Sequence, residues 1–98
     1  MGGFEEQVLS AIKALGPKAY STPIIRAIES HMGSSVTPSQ VFLTLVRLEE
    51  KQYIRGWMGT PTPTRGGKAK RFYELTDIGA QALALRVKLN RPMATEGV

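Results

Sequence analysis

Residues 37–54 constrain the fold more than any other stretch, because they combine a helix-start signal with a helical apolar period. They read TPSQVFLTLVRLEEKQYI. Thr37 is a favourable N-cap, Pro38 suits the first helical turn, and Gln40 would complete a Thr-x-x-Gln capping box. Further along, four residues at spacings of four, three and four lie on one side of the helix. This side consists of Val41, Leu45, Leu48 and Gln52. We therefore predict one amphipathic helix over residues 37–52.

The outward side of this helix is chemically asymmetric. Its first half carries small, neutral or amide side chains, while Glu49 and Glu50 form an acidic pair at the far end. DNA phosphates repel carboxylates, so this asymmetry suits a helix that enters a major groove by its N-terminal end. The alternative is an ordinary helix face in contact with solvent.

The residues before this stretch predict two further helices. Residues 4–15 carry an apolar stripe, and Gly16 followed by Pro17 stops that helix. A second helix is predicted to start at Thr22, as its cap, and to end at Gly33. A short turn joins it to the helix of residues 37–52, which is the pattern of a helix-turn-helix.

Two strands are predicted after the helix-turn-helix, over residues 54–60 and 70–75. Trp57 and Phe72 are expected to pair across them. The connecting residues 61–69 are rich in Gly and Pro and too many for a tight turn. We predict that the two strands and this basic loop form a wing. Its basic residues are Arg65, Lys68, Lys70 and Arg71.

A fourth helix is predicted from the Thr76 cap onward, with a wide apolar face. One stripe consists of Ile78, Ala82, Leu85 and Leu89, and Leu83 and Val87 lie beside it. Such a face exceeds what packing on a small domain needs, so a second copy of the chain is its simplest partner. Residues 91–98 are expected to form a flexible tail.

Charge distribution favours a polyanion partner. The net charge is +5 over 98 residues, but residues 1–50 hold four Lys/Arg against five Glu, and residues 51–98 hold nine against three acids. The positive charge is thus concentrated in the second half. The absence of cysteine excludes disulfides, and no signal peptide or membrane-spanning run is seen. We expect one soluble, cytoplasmic domain without membrane association.

No pattern of catalytic or cofactor-binding residues is found. His31 is the only histidine, so a metal site is not expected. The sequence has no Ser/His/Asp set and no phosphate-binding glycine motif, and Gly66-Gly67 belongs to a loop. We predict a protein that is not an enzyme and has no cofactor.

Several phrases together resemble the PadR family of bacterial winged-helix transcriptional regulators. They are EEQVLSAI, GPKAYS, TPSQVFLTLVRLEEKQYI and KRFYELTDIGAQAL, within residues 4–87. The chain resembles the short members that lack a larger C-terminal helical domain. The family usually has Tyr-Gly at Tyr20-Ser21, Tyr-Pro at Phe42-Leu43, and Gly at Gln52. The resemblance implies a homodimer whose last helix packs on its mate, a recognition helix in the major groove, and wings along the minor groove or backbone.

The resulting expectation is an α+β, mostly helical winged helix-turn-helix of order α-α-α-β-β-α. Residues 1–75 would bind double-stranded DNA, residues 76–90 would form the dimerisation helix, and repression would follow from blocking a promoter. An unidentified small-molecule effector could bind between protomers. The alternatives are a winged-helix module that binds an acidic protein and a ligand sensor without DNA activity.

The candidate site residues fall into two groups. The DNA-binding candidates are Tyr20, Thr37, Ser39, Gln40, Phe42, Leu43, Thr44, Arg47, Arg65, Lys68, Lys70 and Arg71. The dimerisation candidates are Phe4, Val8, Ala82, Leu83, Leu85, Val87 and Leu89.

Overall fold

The computed structural model describes residues 2–59 and 70–90, without the side chains of residues 89 and 90. The predicted order of three helices, two strands and a fourth helix is confirmed. The elements are α1 (Gly3–Leu15), α2 (Ser21–Met32), α3 (Pro38–Glu50), β1 (Ile54–Met58), β2 (Arg71–Leu75) and α4 (Asp77–Asn90), with a short 3₁₀ turn at Gly16–Lys18.

The N-terminal ends of α2 and α3 differ from the prediction. The side chain of Thr37 makes no capping hydrogen bond, so the predicted box with Gln40 is wrong. The Thr37 carbonyl instead accepts the Gln40 N–H at 3.0 Å. The predicted Thr22 cap is also wrong, because Tyr20 is the N-cap residue of α2. Tyr20 has extended backbone and bridges to Phe72, so the helix can begin immediately after this contact with the sheet.

The C-terminal end of α3 is a Schellman motif. The Tyr53 N–H donates to the Leu48 carbonyl and the Gln52 N–H to the Glu49 carbonyl, both at 2.9 Å. Gln52 takes the left-handed position of this motif, with φ of 63°. The helix therefore ends at Glu50, and the predicted end at residue 52 is wrong because a left-handed residue cannot continue a right-handed helix.

Strands β1 and β2 form an antiparallel pair in which Trp57 lies opposite Phe72. Their ring centroids are 6.2 Å apart and the rings are stacked, which confirms the predicted cross-strand pair. Strand β1 ends at Met58 rather than at residue 60, and β2 begins at Arg71 rather than at residue 70. One more backbone hydrogen bond, from Gly59 to Lys70 at 2.7 Å, extends the pairing beyond them.

A single hydrophobic core joins all six elements. Apolar residues at helical spacing are the buried ones, which confirms the predicted inward sides of α1, α2 and α3 except at two helix ends. Gln52, predicted on the inward side of α3, is exposed after the helix has ended, and Met32 at the end of α2 is 47% exposed. The core residues from these helices are Val8, Leu9, Ala11, Ile12, Ile24, Ile28, Val41, Leu45 and Leu48, joined by Ala19, Ile54, Tyr73 and Leu83.

Helix α4 starts against the turn that follows α3. The predicted Thr76 cap is confirmed, since its hydroxyl oxygen accepts the Gly79 N–H at 3.0 Å. The same hydroxyl donates to the Gln52 carbonyl at 2.6 Å. A Cβ on Gly79 would lie 1.8 Å from the Tyr53 carbonyl oxygen, so only glycine permits this approach. The architecture is a winged helix-turn-helix, with the antiparallel pair of β1 and β2 as the described part of the wing.

Candidate nucleic-acid interface

The side of α3 that faces away from the core is exposed along its whole length. We call its residues Ser39, Gln40, Leu43, Val46 and Arg47 the outer face of α3. Leu43 is 55% exposed and Val46 is 54% exposed. Sequence reasoning missed Val46, although its spacing of seven from Ser39 and three from Leu43 places it on this side. The outer face therefore offers two hydrocarbon groups, a hydroxyl, an amide and one guanidinium.

The other candidates on α3 differ in their accessibility. Phe42 is 48% exposed and lies at the edge of the outer face. Thr37 is exposed at the start of the helix. Thr44 is only 6% exposed, and its hydroxyl donates to the Gln40 carbonyl at 2.9 Å. Arg47 and Glu50 are both exposed, and the ion pairs of residues 2–59 and 70–90 do not include one between them.

Tyr20 and Lys70 lie together beside the first turn of α2. The Lys70 ammonium is 4.5 Å from the centre of the Tyr20 ring, within the range of a cation–π contact. The Tyr20 ring also packs edge-on against Phe72, with centroids 5.4 Å apart. Tyr20 is half-buried and Lys70 is exposed. The Tyr20 ring thus holds the Lys70 ammonium in place at the base of the wing through this contact.

Much of the positive charge of the second half is paired within the protein. The pairs are Lys51–Glu5, Arg55–Glu74, Arg71–Glu49 and Arg86–Glu6. Burial raises the pKa of Glu5, but hydrogen bonds from Lys51 and from the Gly2 N–H outweigh it, and the net effect lowers this pKa. No local pattern could predict the pairs Lys51–Glu5 and Arg86–Glu6, whose members are 46 and 80 residues apart. Arg71, a candidate for phosphate contact, instead meets a carboxylate here.

Two candidates of the wing, Arg65 and Lys68, lie outside the described residues, as does the predicted tail of residues 91–98. Lys70 and Arg71, at the start of β2, are the candidates of the wing whose positions are described.

The dimerisation candidates divide into core and surface residues. Val8 and Leu83 are buried in the core, and Phe4 and Ala82 are half-buried. Leu85 and Val87 are 58% and 44% exposed, whereas the Leu89 side chain is outside the described part of the chain. Ile78 is also 53% exposed. A groove of about 710 Å³ between α1 and α4 is lined mainly by Ala14, Leu83, Ala84 and Val87, with Ser10, Lys13 and Lys88.

Residues 2–59 and 70–90 contain neither a metal-binding cluster nor a membrane-spanning helix. Within these ranges, no three His, Cys, Asp or Glu residues are grouped closely enough to hold a metal ion. No helix in the same ranges is long and apolar enough to cross a membrane.

Solved structures of similar fold include PadR-family transcription regulators. A PadR-family transcription regulator from Clostridium difficile is 21% identical, with a TM-score of 0.71 over 89% of this chain and 85% of that chain. A PadR-like transcriptional regulator from Bacillus cereus is 20% identical, with a TM-score of 0.69 over 96% and 85%. Bacillus subtilis PadR, solved with operator DNA, is 22% identical, with a TM-score of 0.71 over 91% of this chain and 49% of that chain. These identities establish a shared fold.

Sequence comparison identifies the family. No curated protein sequence matches the chain. The model of the transcriptional regulator PadR-like family matches residues 8–85, which is most of the sequence. This match confirms the predicted resemblance, and the family consists of transcription regulators rather than enzymes. The chain belongs to the PadR-like family of transcriptional regulators.

Proposed function

We propose that this protein is a homodimeric, sequence-specific DNA-binding regulator that places α3 in the major groove and its wing on the flanking backbone or minor groove. The observation that carries the proposal is the outer face of α3, which is exposed and lacks a carboxylate from Ser39 to Arg47. A helix approaches phosphates at a lower electrostatic cost when its leading half carries no negative charge. The operator complex of Bacillus subtilis PadR, a protein of similar fold, supports the same assignment.

Base reading would come from three side chains near the start of α3. Gln40 can form two hydrogen bonds with adenine, Ser39 can bond either a donor or an acceptor, and Leu43 can cover a thymine methyl group. Val46 extends the hydrocarbon surface of Leu43 by one turn. Thr44 is left out of this set because its hydroxyl is already used inside the helix.

Affinity that is independent of sequence would come from cations around α3. Arg47 lies at the edge of the outer face, and Lys70 projects from the start of the wing beside Tyr20. Arg65 and Lys68 of the loop would add two more phosphate contacts. Such contacts hold the protein in register on the duplex but carry no base information.

The dimer would form through the fourth helix. Ile78 and Leu85 are exposed and seven residues apart, so they lie on one side of α4. Two protomers joined there would present two copies of α3 to half-sites about one turn of duplex apart. Repression would follow when the bound dimer covers a promoter. The domain limits of this proposal are residues 1–75 for DNA binding and 76–90 for dimerisation.

The experiment that tests DNA binding is a titration of sheared genomic duplex at graded salt. With four phosphate contacts per protomer, the logarithm of the binding constant should fall with the logarithm of salt at about 0.9 per contact. Replacing Arg65, Lys68 and Lys70 with Gln should weaken all sequences similarly and flatten this slope. The control replaces Lys13 and Lys88 with Gln, which removes positive charge from α1 and α4 and should leave the slope unchanged.

Two results of this titration would contradict the proposal. If the wild-type protein binds no duplex even at low salt, the winged helix serves another partner, and an acidic protein becomes the leading candidate. If the wing variant changes sequence preference while affinity holds, the wing reads bases instead of phosphates.

A further inference from the structure

The guanidinium of Arg71 lies in a slot built from three elements. Its Nη2 donates to Glu49 Oε2 of α3 at 2.8 Å. Its central carbon is 5.8 Å from the centre of the Tyr73 ring on β2. A Cβ on Gly56 of β1 would lie 2.9 Å from Nε and from Nη2. Gly56 therefore leaves the space that the guanidinium fills.

This slot connects the recognition helix to the base of the wing. Glu49 lies in the last turn of α3, and Arg71 is the first residue of β2. The two side chains are partly shielded, with 29% of Glu49 and 43% of Arg71 exposed. A hydrogen-bonded ion pair at this junction restrains the direction of β2 relative to α3. It also neutralises a carboxylate of α3 that lies beside the wing.

We infer that Arg71 is a positioning residue that holds the wing at a set angle to α3 through Glu49, rather than a phosphate ligand. This inference rests on the proposed DNA-binding function and replaces the phosphate contact expected for Arg71 from the sequence. An arginine that already bonds a carboxylate and fills a slot in the fold would have to leave both in order to reach a phosphate. The duplex instead meets Lys70, the residue before Arg71, which this ion pair keeps in register with α3.

The two roles predict opposite results for Glu49. If Arg71 binds phosphate, Glu49→Gln releases it and tightens DNA binding, and Arg71→Met flattens the salt slope by about 0.9, the value of one phosphate group. If Arg71 positions the wing, either substitution weakens binding and neither flattens the slope. The double variant then binds no more weakly than a single one, because both substitutions remove the same ion pair.

The experiment measures the affinity and salt slope of Glu49→Gln, Arg71→Met and the double variant on duplex enriched by the wild-type protein from sheared genomic DNA. Each single variant should bind roughly 3- to 10-fold more weakly, which lies in the lower part of the range of coupling between residues in contact. Glu50→Gln is the control for Glu49, because it removes a neighbouring exposed carboxylate outside the slot. Arg55→Met is the control for Arg71, because it breaks the pair with Glu74 on the sheet. Circular dichroism ensures that only folded protein is compared, so a reduced stability alone does not alter the result.

Gly56→Ala provides an independent test that changes no charge. Its methyl group would displace the flexible end of Arg71 while leaving the backbone in place, so the protein should fold. We expect it to weaken DNA binding as Arg71→Met does, and to have no effect in an Arg71→Met background. Tighter binding by Glu49→Gln than by Glu50→Gln, or a flatter slope for Arg71→Met, overturns the positioning role while DNA binding stands. Absence of binding by the wild-type protein overturns both.

Discussion

At Gln52 the backbone adopts a conformation that most side chains disfavour. Its φ of 63° lies in the left-handed region, at the position of the Schellman motif that glycine most often occupies. Hydrogen bonds from Thr76 stabilise this turn. The Gln52 carbonyl accepts the Thr76 hydroxyl at 2.6 Å, and the Tyr53 carbonyl accepts the Thr76 N–H at 3.0 Å. A glycine at this position would therefore fit the same turn without the strain that the Gln52 side chain adds.

We predict that Gln52→Gly stabilises the protein. Removing the Cβ relieves about 1 kcal/mol of left-handed strain, partly offset by the greater freedom of glycine in the unfolded chain. The midpoint of urea unfolding should rise. Glu50→Gly is the matched control, because Glu50 is the last residue of α3 and glycine there should cost about 1 kcal/mol. A lower midpoint for Gln52→Gly would show that the turn does not keep this conformation.

At the scale of the element, the outer face of α3 differs from a typical solvent-facing helix. Leu43 and Val46 are both more than half exposed and lie three residues apart, so they form one hydrocarbon surface between the polar groups of Ser39, Gln40 and Arg47. Exposed apolar residues on a small domain need a reason when they adjoin each other. Contact with thymine methyl groups in a major groove supplies one.

We predict that α3 distinguishes thymine from uracil. Duplexes enriched by the wild-type protein would be resynthesised with deoxyuridine at single thymidine positions. Removal of one covered methyl group should weaken binding by roughly fourfold, from about 0.8 kcal/mol per methyl-sized group. Leu43→Ala should lose this discrimination, whereas Thr44→Ser, inside the helix, should keep it. If duplexes with thymine and with uracil bind equally at every position, Leu43 and Val46 do not contribute to sequence recognition.

At the scale of the whole molecule, α4 has apolar residues on more than one side. Leu83 packs into the core, while Ile78, Leu85 and Val87 remain exposed. The Arg86–Glu6 pair, at 3.0 Å, ties α4 to α1, so these exposed residues are held in a set position relative to the body of the protomer. Of the dimerisation residues predicted from the sequence, Val8 and Leu83 stabilise the protomer itself, and Leu85 and Val87 are accessible to a partner.

We predict that Leu85→Glu yields folded monomers. A carboxylate in a close apolar interface would lose its hydration without gaining a partner, so association should fail while the core remains intact. Light scattering should give the mass of one chain, 10.7 kDa, in place of two. Leu43→Glu makes the same exchange at a leucine of similar exposure on α3. It should remain dimeric and lose DNA binding; a Leu85→Glu protein that remains dimeric would place the interface elsewhere.

The order of helices and strands could be predicted from the sequence alone because its causes are local. Apolar spacing on α3 identified Val41, Leu45 and Leu48 as core residues. The alternation on the two strands likewise predicted the Trp57–Phe72 pair. The spacing along α3 also indicates which side faces outward, and most of the outer face follows from it. A helical period can be recognised in the sequence because it involves only residues that are a few positions apart.

Tertiary structure alone decided which charges remain available, where α2 begins and where α3 ends. The partners Arg71 and Glu49 are 22 residues apart, and Arg86 and Glu6 are 80 residues apart, so no local pattern links them. The start of α2 depends on the bridge from Tyr20 to the sheet, and the turn after α3 is held by Thr76. Charge counts along a chain are additive, but the partner of each charge depends on chain segments that meet only after folding.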